Sequence, residues 1–177
     1  MKKIVFSFLV LVLVLGLHLN AQNTEKVKWY SFQDAVELNK THPRKIFIDV
    51  YTDWCGWCKK MEKLTFTNPE ISKILNEKFY AVRFNAESHE NIVFMGKKFI
   101  NEGTNGRTPH QLAIALLNGK MSYPSIAYLN EKNQLLTAIP GYQTPEKLEV
   151  ILNFLVNDAY KTKTFQEYNA NFKSLIH

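Results

Sequence analysis

An α/β sandwich around a mixed central β-sheet is predicted by three features of this 177-residue chain. Two apolar, β-branched runs, Lys45–Tyr51 and Phe79–Asn85, read as strands buried on both faces. The segments between such runs have helical spacing, the pattern of parallel strands joined by crossover helices. Residues 125–130 and 134–139 then read as two strands joined by the polar turn Glu131-Lys132-Asn133, a hairpin. With 46% hydrophobic and 13% aromatic residues the chain can bury one apolar core, and no repeat or low-complexity linker marks a second domain.

At the N-terminus, Lys2-Lys3 precede an apolar run over residues 4–17, the charged and hydrophobic regions of a secretory signal. Cleavage is expected after Ala21, which makes residues 1–21 a signal peptide and Gln22 the first mature residue. An uncleaved membrane anchor is the rival, since the run lies at the short end of lengths that span a bilayer. No cysteine lies near the cut, which argues against a lipid-anchored form. The remainder is expected to be exported, in a periplasmic or other extracytoplasmic compartment that tolerates disulfides.

The mature chain divides into an α/β domain over residues 22–160 and a C-terminal extension over 161–177. A short strand around Lys28-Trp29-Tyr30 leads to Ser31, which caps a helix reaching about Asn39. The strand 45–51 has one anomaly, Asp49. After Cys58, helical spacing puts Met61, Leu64 and Thr65 on one face, with Met61 and Leu64 read as core. Asn68-Pro69-Glu70 supplies a cap, a first-turn proline and an acid for a helix through Ile71, Ile74 and Leu75. In the strand 79–85 a charge, Arg83, again interrupts apolar company.

Residues 87–120 read as helical in two pieces, 92–100 and 109–117, separated by the loop 101–106. Thr108 is the expected cap of the second piece, with Gln111 closing a capping box. Thr144-Pro145-Glu146 caps a last amphipathic helix through Leu148, Ile151, Leu152 and Leu155. In the tail, Phe165, Tyr168, Phe172, Leu175 and Ile176 recur at roughly helical spacing, as a further docked helix requires.

The 22 Lys and Arg against 16 Asp and Glu give a formal charge of +6, with the positive charges spread along the chain. That is a solvated basic surface; nucleic-acid binding would call for a basic stripe interleaved with aromatic residues.

The chemistry centres on the two cysteines, Cys55 and Cys58. They form Cys-x-x-Cys directly after a buried strand and at the opening of a helix. A helix N-terminus offers unpaired N–H groups and a positive dipole end, which favour a thiolate at Cys55, the nucleophilic form. Cys58, one turn later, can attack the resulting mixed disulfide and release the partner. Zinc binding is the first alternative, but a structural zinc wants four ligands and the histidines lie singly in unrelated segments. An inert staple is the second, although a bridge closing so short a loop constrains the unfolded chain little.

Asp49-Val50-Tyr51-Thr52-Asp53-Trp54-Cys55-Gly56-Trp57-Cys58-Lys59 strongly resembles the active-site strand and helix start of thioredoxins. The resemblance spans about residues 45–155 and implies a three-layer, thioredoxin-like sandwich. It places Asp49 where that family keeps a buried carboxylate beneath the second cysteine, and Arg83 where thioredoxins carry a lysine paired with it. Tyr123-Pro124 falls at the family's cis-proline, and Gly141 matches the glycine after the last strand. The segment from Cys58 to Glu70 looks most like exported reductant-side modules such as the C-terminal periplasmic domain of DsbD proteins.

The resemblance implies a thiol–disulfide oxidoreductase with Cys55 as nucleophile and Cys58 as resolving thiol. Asp49 then handles the proton of Cys58, and Arg83 tempers the carboxyl. Trp54, Gly56, Trp57, Tyr123 and Pro124 would contact an extended client. The implied partners are protein disulfide or dithiol clients and an electron donor, soluble or membrane-embedded; no metal, nucleic acid or cofactor beyond the Cys55–Cys58 couple is required. Thioredoxins usually have proline where Trp57 stands, and strongly oxidising exported enzymes have proline then histidine between the cysteines. Gly56-Trp57 supplies no such charge, so a moderately reducing centre is expected. A disulfide oxidant or isomerase, and a peptide-binding or chaperone module braced by the cysteines, are the competing functions. Residues 88–120 are longer than the corresponding thioredoxin link, and an extra helical element is expected there, before the cis-proline.

Overall fold

The computed structural model describes residues 25–176, so the leader expected over residues 1–21 lies outside it. In chain order the strands are β1 Trp29–Tyr30, β2 Lys45–Tyr51, β3 Phe79–Asn85, β4 Ile92–Phe94, β5 Lys97–Phe99, β6 Ser125–Leu129 and β7 Leu135–Pro140. The helices are α1 Phe32–Thr41, α2 Gly56–Leu64, α3 Pro69–Lys78, α4 Gln111–Leu116, α5 Pro145–Val156 and α6 Phe165–Asn171. Five strands form one sheet in the order β1-β3-β2-β6-β7. β1, β3 and β2 run parallel, and β6 and β7 add antiparallel, so the sheet is mixed as predicted.

Alternation along β2 divides the core into two layers. Ile46, Ile48 and Val50 face one side, against Phe32 and Ala35 of α1 and Leu112 and Leu116 of α4. Phe47 faces the other, among Met61, Ile71, Leu75, Leu148 and Leu152 from α2, α3 and α5. Its ring makes edge-to-face contacts with Phe66, Phe79 and Tyr128 at centroid distances of 5.8, 6.5 and 5.6 Å. Such pairs add about 0.5–1.5 kcal/mol each beyond the burial of their area. Ser31, Asn68 and Thr144 cap α1, α3 and α5 as their sequence positions predict.

The segment 92–100 is not helical. It folds as an antiparallel β4–β5 hairpin with Ile92 opposite Phe99 and Phe94 opposite Lys97. Met95 and Gly96 adopt φ of +49° and +76° at its tip, the conformation a two-residue hairpin turn needs. Ile92 is buried while Val93 is exposed, the period of two that distinguishes a strand.

The second predicted helix exists but starts later. Its cap is His110, not Thr108, and the His110 Nδ1 accepts the Leu112 N–H at 3.0 Å. Gln111 closes no capping box; its side chain accepts the Ile100 N–H at 3.3 Å instead. The insertion before Pro124 is therefore a hairpin followed by a short helix.

Leu64 is also corrected, being 48% exposed at the end of α2. Buried Thr65 completes the inner face, its hydroxyl donating to the Gln143 carbonyl at 2.7 Å. The tail is α-helical only over α6, which docks on α5, whereas Phe172, Leu175 and Ile176 lie beyond the end of the helix. Phe165 and Tyr168 of α6 pack on Phe154 of α5 at 5.4 and 5.3 Å.

Candidate active site

β2 ends at Tyr51, and the chain turns through Thr52-Asp53-Trp54, with the Cys55 N–H donating to the Thr52 carbonyl at 3.1 Å. Cys55 is the N-cap of α2, and its Sγ accepts the Cys58 N–H at 3.0 Å. The sulfur therefore occupies the place of a capping oxygen, where unpaired N–H groups and the positive helix end stabilise negative charge. Cys55 and Cys58 are joined as a disulfide, with Cα atoms 5.3 Å apart. The two residues are only 4% and 2% exposed.

Beneath α2 the register of the parallel pair sets Asp49 of β2 beside Arg83 of β3. Asp49 is fully buried, and its Oδ2 accepts from Arg83 Nε at 3.3 Å. Arg83 also donates to Glu62 Oε1 of α2 at 2.6 Å, tying the cysteine-bearing helix to the two central strands. Burial pushes the Asp49 carboxyl up to about 7, against the lowering effect of Arg83. Desolvation of the fully buried carboxyl outweighs the Arg83 charge, and the nearby Glu62 carboxylate adds to the rise.

Two buried oxygens here have no hydrogen-bond partner among the described residues, Asp49 Oδ1 and Thr52 Oγ1. A buried polar atom left unpaired costs about 1–3 kcal/mol, so a protonatable carboxyl at this point is retained at some cost to stability.

The remaining predicted residues lie in the cysteine segment or on turns linked to it through the tryptophans. The Tyr123-Pro124 bond is cis, and Pro124 immediately precedes β6, whose Ser125 pairs with Val50 of β2. Gly141, at φ +89°, donates its N–H to the Pro124 carbonyl at 2.8 Å, so the two turns meet. Trp54 and Trp57 are 55% and 56% exposed, which places both outside the core. Trp54 meets Tyr123 edge-on at 6.0 Å, and Trp57 lies against Tyr142 at 5.5 Å. Gly56 opens α2 with free space around its Cα.

Four neighbours were not picked out from the sequence: Glu87, Arg107, Lys60 and Tyr142. Glu87 accepts the Trp54 indole N–H at 2.9 Å, and the Arg107 guanidinium stands over the Trp54 ring at 5.6 Å. Lys60 stands over Trp57 at 4.7 Å and over Tyr142 at 5.5 Å. Tyr142, directly after the turn glycine, and Lys60, three residues after Trp57 on the same helix, carried a signal; Glu87 and Arg107 lie about 30 or more residues from Trp54 along the chain. No group of three or more His, Cys, Asp or Glu among the described residues is arranged to hold a metal ion.

Fold and site together define a thioredoxin-fold, thiol–disulfide oxidoreductase-like protein with Cys55–Cys58 as its cysteine pair. The chain belongs to the Thioredox_DsbH family, described as "Protein of unknown function, DUF255", whose profile matches residues 14–170. Spermatogenesis-associated protein 20 of Mus musculus is 32% identical over 81 residues, which cover 45% of this chain and 10% of that protein. The thiol:disulfide interchange protein DsbD of Haemophilus influenzae (strain PittEE) is 36% identical over 56 residues, 29% of this chain and 10% of that one. The chain thus matches about a tenth of the length of these curated relatives. A thioredoxin from Thermus thermophilus superimposes with a TM-score of 0.55 at 14% identity, covering 85% of this chain and 100% of that one. That likeness establishes the fold.

Proposed function

We propose that this chain is a disulfide reductase of exported proteins. The observation that carries the proposal is the redox pair itself: Cys55 caps a helix N-terminus, and Cys58 follows one turn later above a sheet face holding a buried, protonatable Asp49.

In the reduced protein the Cys55 thiolate attacks one sulfur of a client disulfide. That S–S bond breaks, a Cys55–client disulfide forms, and one client thiolate leaves and takes up a proton. Cys58 gives its proton to the Asp49 carboxylate, directly or through water, and attacks Cys55 Sγ. The second client sulfur departs as a thiolate and takes up the proton held by Asp49, leaving the Cys55–Cys58 disulfide. The client has gained two electrons from the pair and two protons, one from Cys58 by way of Asp49 and one from solvent, since Cys55 reacts as the thiolate. A donor dithiol, on a soluble or membrane-embedded partner, returns them by the same exchange in reverse.

Arg83 acts by holding Asp49 within reach of ionisation. Trp54, Gly56, Trp57, Tyr123 and Pro124 form the surface on which an extended client segment lies. The couple needs no metal or further cofactor for this chemistry. The charged and apolar N-terminal segment supports a place outside the cytoplasm, where such disulfides persist.

The reduction potential of the purified pair tests this reading. Lacking a histidine between its cysteines, the couple is expected near the thioredoxin value of about −270 mV. A value near about −120 mV would make the protein an oxidant instead.

A further inference from the structure

We propose that Arg107 and Lys60 turn the rim of the disulfide into a cation-flanked aromatic cleft that selects client segments carrying a carboxylate beside their cysteine. This rests on the reductase reading and names the client class of that same site.

Two walls of the same composition are built on the cysteine segment, one on the residue before Cys55 and the other on the residue before Cys58. One is Trp54, edge-on to Tyr123 at 6.0 Å, with the Arg107 guanidinium 5.6 Å from the indole centroid. The other is Trp57, 5.5 Å from Tyr142, with the Lys60 ammonium 4.7 Å from the indole. The walls are joined at their base, because Gly141, next to Tyr142, donates to the carbonyl of Pro124, next to Tyr123. Arg107 enters from the loop before α4, so the insertion supplies one wall; Lys60 comes from α2 itself.

Two carboxylates also lie on this rim; they keep their charge but accept from neutral donors and pair with neither cation. Glu87 takes the Trp54 indole N–H through both oxygens, at 2.9 and 3.2 Å, and Asp53 takes the Asn85 amide at 3.1 Å. Among the described residues, the ion pairs of the structure involve neither Arg107 nor Lys60. A cation lying over an aromatic face keeps its N–H groups free to bond outward. The guanidinium can then grip a carboxylate with two parallel bonds, while the indole faces cover the apolar part of the segment.

The test uses two synthetic peptides, each closed by one disulfide and identical except for Glu or Lys beside the cysteines. Single-turnover reduction by the pre-reduced protein is followed by tryptophan fluorescence, and each rate is divided by that peptide's rate with dithiothreitol. Binding of the same peptides to the oxidised protein is titrated in parallel. At low salt the Glu peptide is expected to bind and react about tenfold better, at roughly three- to fivefold per exposed cation, with the ratio shrinking toward one as salt rises. The double charge reversal Arg107→Glu/Lys60→Glu is expected to invert the ratio. Equal binding and equal rates for the two peptides overturn the cleft. Preferential binding of the Glu peptide without reduction keeps the cleft and overturns the reductase reading.

Discussion

Asp49 and Arg83 sit side by side in the parallel register of β2 and β3, Oδ2 to Nε 3.3 Å, and the pairing leaves Asp49 Oδ1 buried without a partner among the described residues. An ion pair satisfied on one side only is a poor stabiliser. It makes a carboxyl that can take a proton near neutral pH, and this has a measurable signature.

Burial raises the Asp49 carboxyl from its ordinary 3.8 to about 7, so between those values the folded state binds more protons than the unfolded state. The associated stability is fully present below about pH 4 and is lost as pH rises toward 7. Urea unfolding of the oxidised protein is expected to show Asp49→Asn gaining on the wild type across this window, by on the order of 4 kcal/mol. Parallel curves for the two proteins would mean that Asp49 ionises as an ordinary surface carboxyl. In the reduced protein Asp49→Asn is expected to slow the resolving step about 10- to 100-fold and to flatten its pH profile.

The cysteines have separable roles in the proposed chemistry. Cys58→Ser is expected to accumulate a Cys55–client disulfide, visible as a band shift on a non-reducing gel, whereas Cys55→Ser forms none. Equal trapping by both variants would contradict the assignment of nucleophile and resolving thiol.

His110 joins the insertion to the core. Its Nδ1 accepts the Leu112 N–H, and its Nε2 donates to the Glu90 carbonyl at 2.9 Å, so the native ring is the neutral tautomer. Burial lowers its pKa below 6.5, with His89 adding to the effect and Glu90 opposing it. The sign is opposite to that of Asp49: the stabilisation is present above the unfolded value and is lost as pH falls below it. His110→Asn puts an amide oxygen in place of the capping Nδ1 but cannot titrate, and it is expected to lose less stability than the wild type as pH falls below about 6.5. Unfolding followed across that range checks this, and identical acid sensitivity would count against it.

Glu149 is almost fully buried on α5, and its carboxylate accepts the Leu175 N–H at 2.9 Å and the Ser174 hydroxyl. Those bonds fasten the tail. Glu149→Ala is expected to cost about 1–3 kcal/mol and to open residues 172–176 to proteolysis before the rest of the domain. A tail as resistant as in the wild type would show that the aromatic packing on Phe154 alone holds it.

Much of this protein is decided by short-range patterns. Cys55 and Cys58 at the junction of a buried strand and a helix, the caps at Ser31, Asn68 and Thr144, and the hairpin around Asn133 all involve residues a few positions apart. Local sterics and hydrogen bonding are enough to specify them. The anomalous charges at Asp49 and Arg83 were equally visible, because a charge in a doubly buried strand stands out. Their pairing was implied only by resemblance, since it depends on the register of two strands 34 residues apart.

Tertiary structure decided what periodicity left ambiguous. Residues 92–99 carry apolar side chains at spacings that suit a helix or two short strands; the turn at Met95-Gly96 and the burial of Ile92 against the core select the strands. Thr108 looked like a cap, but the buried ring of His110 bonds both α4 and the Glu90 carbonyl, a contact 20 residues away that no local rule contains. Leu64 fell out of the core because α2 ends there and Thr65 turns inward toward Gln143. The same limit hid Arg107 and Glu87 around Trp54, whereas Lys60 lies one turn from Trp57 on the same helix. Sequence alone determined the cysteine pair and the strand–helix frame that presents it, whereas Tyr123, Glu87 and Arg107 come to Trp54 by long-range contacts, which exist only once the sheet and its insertion have packed.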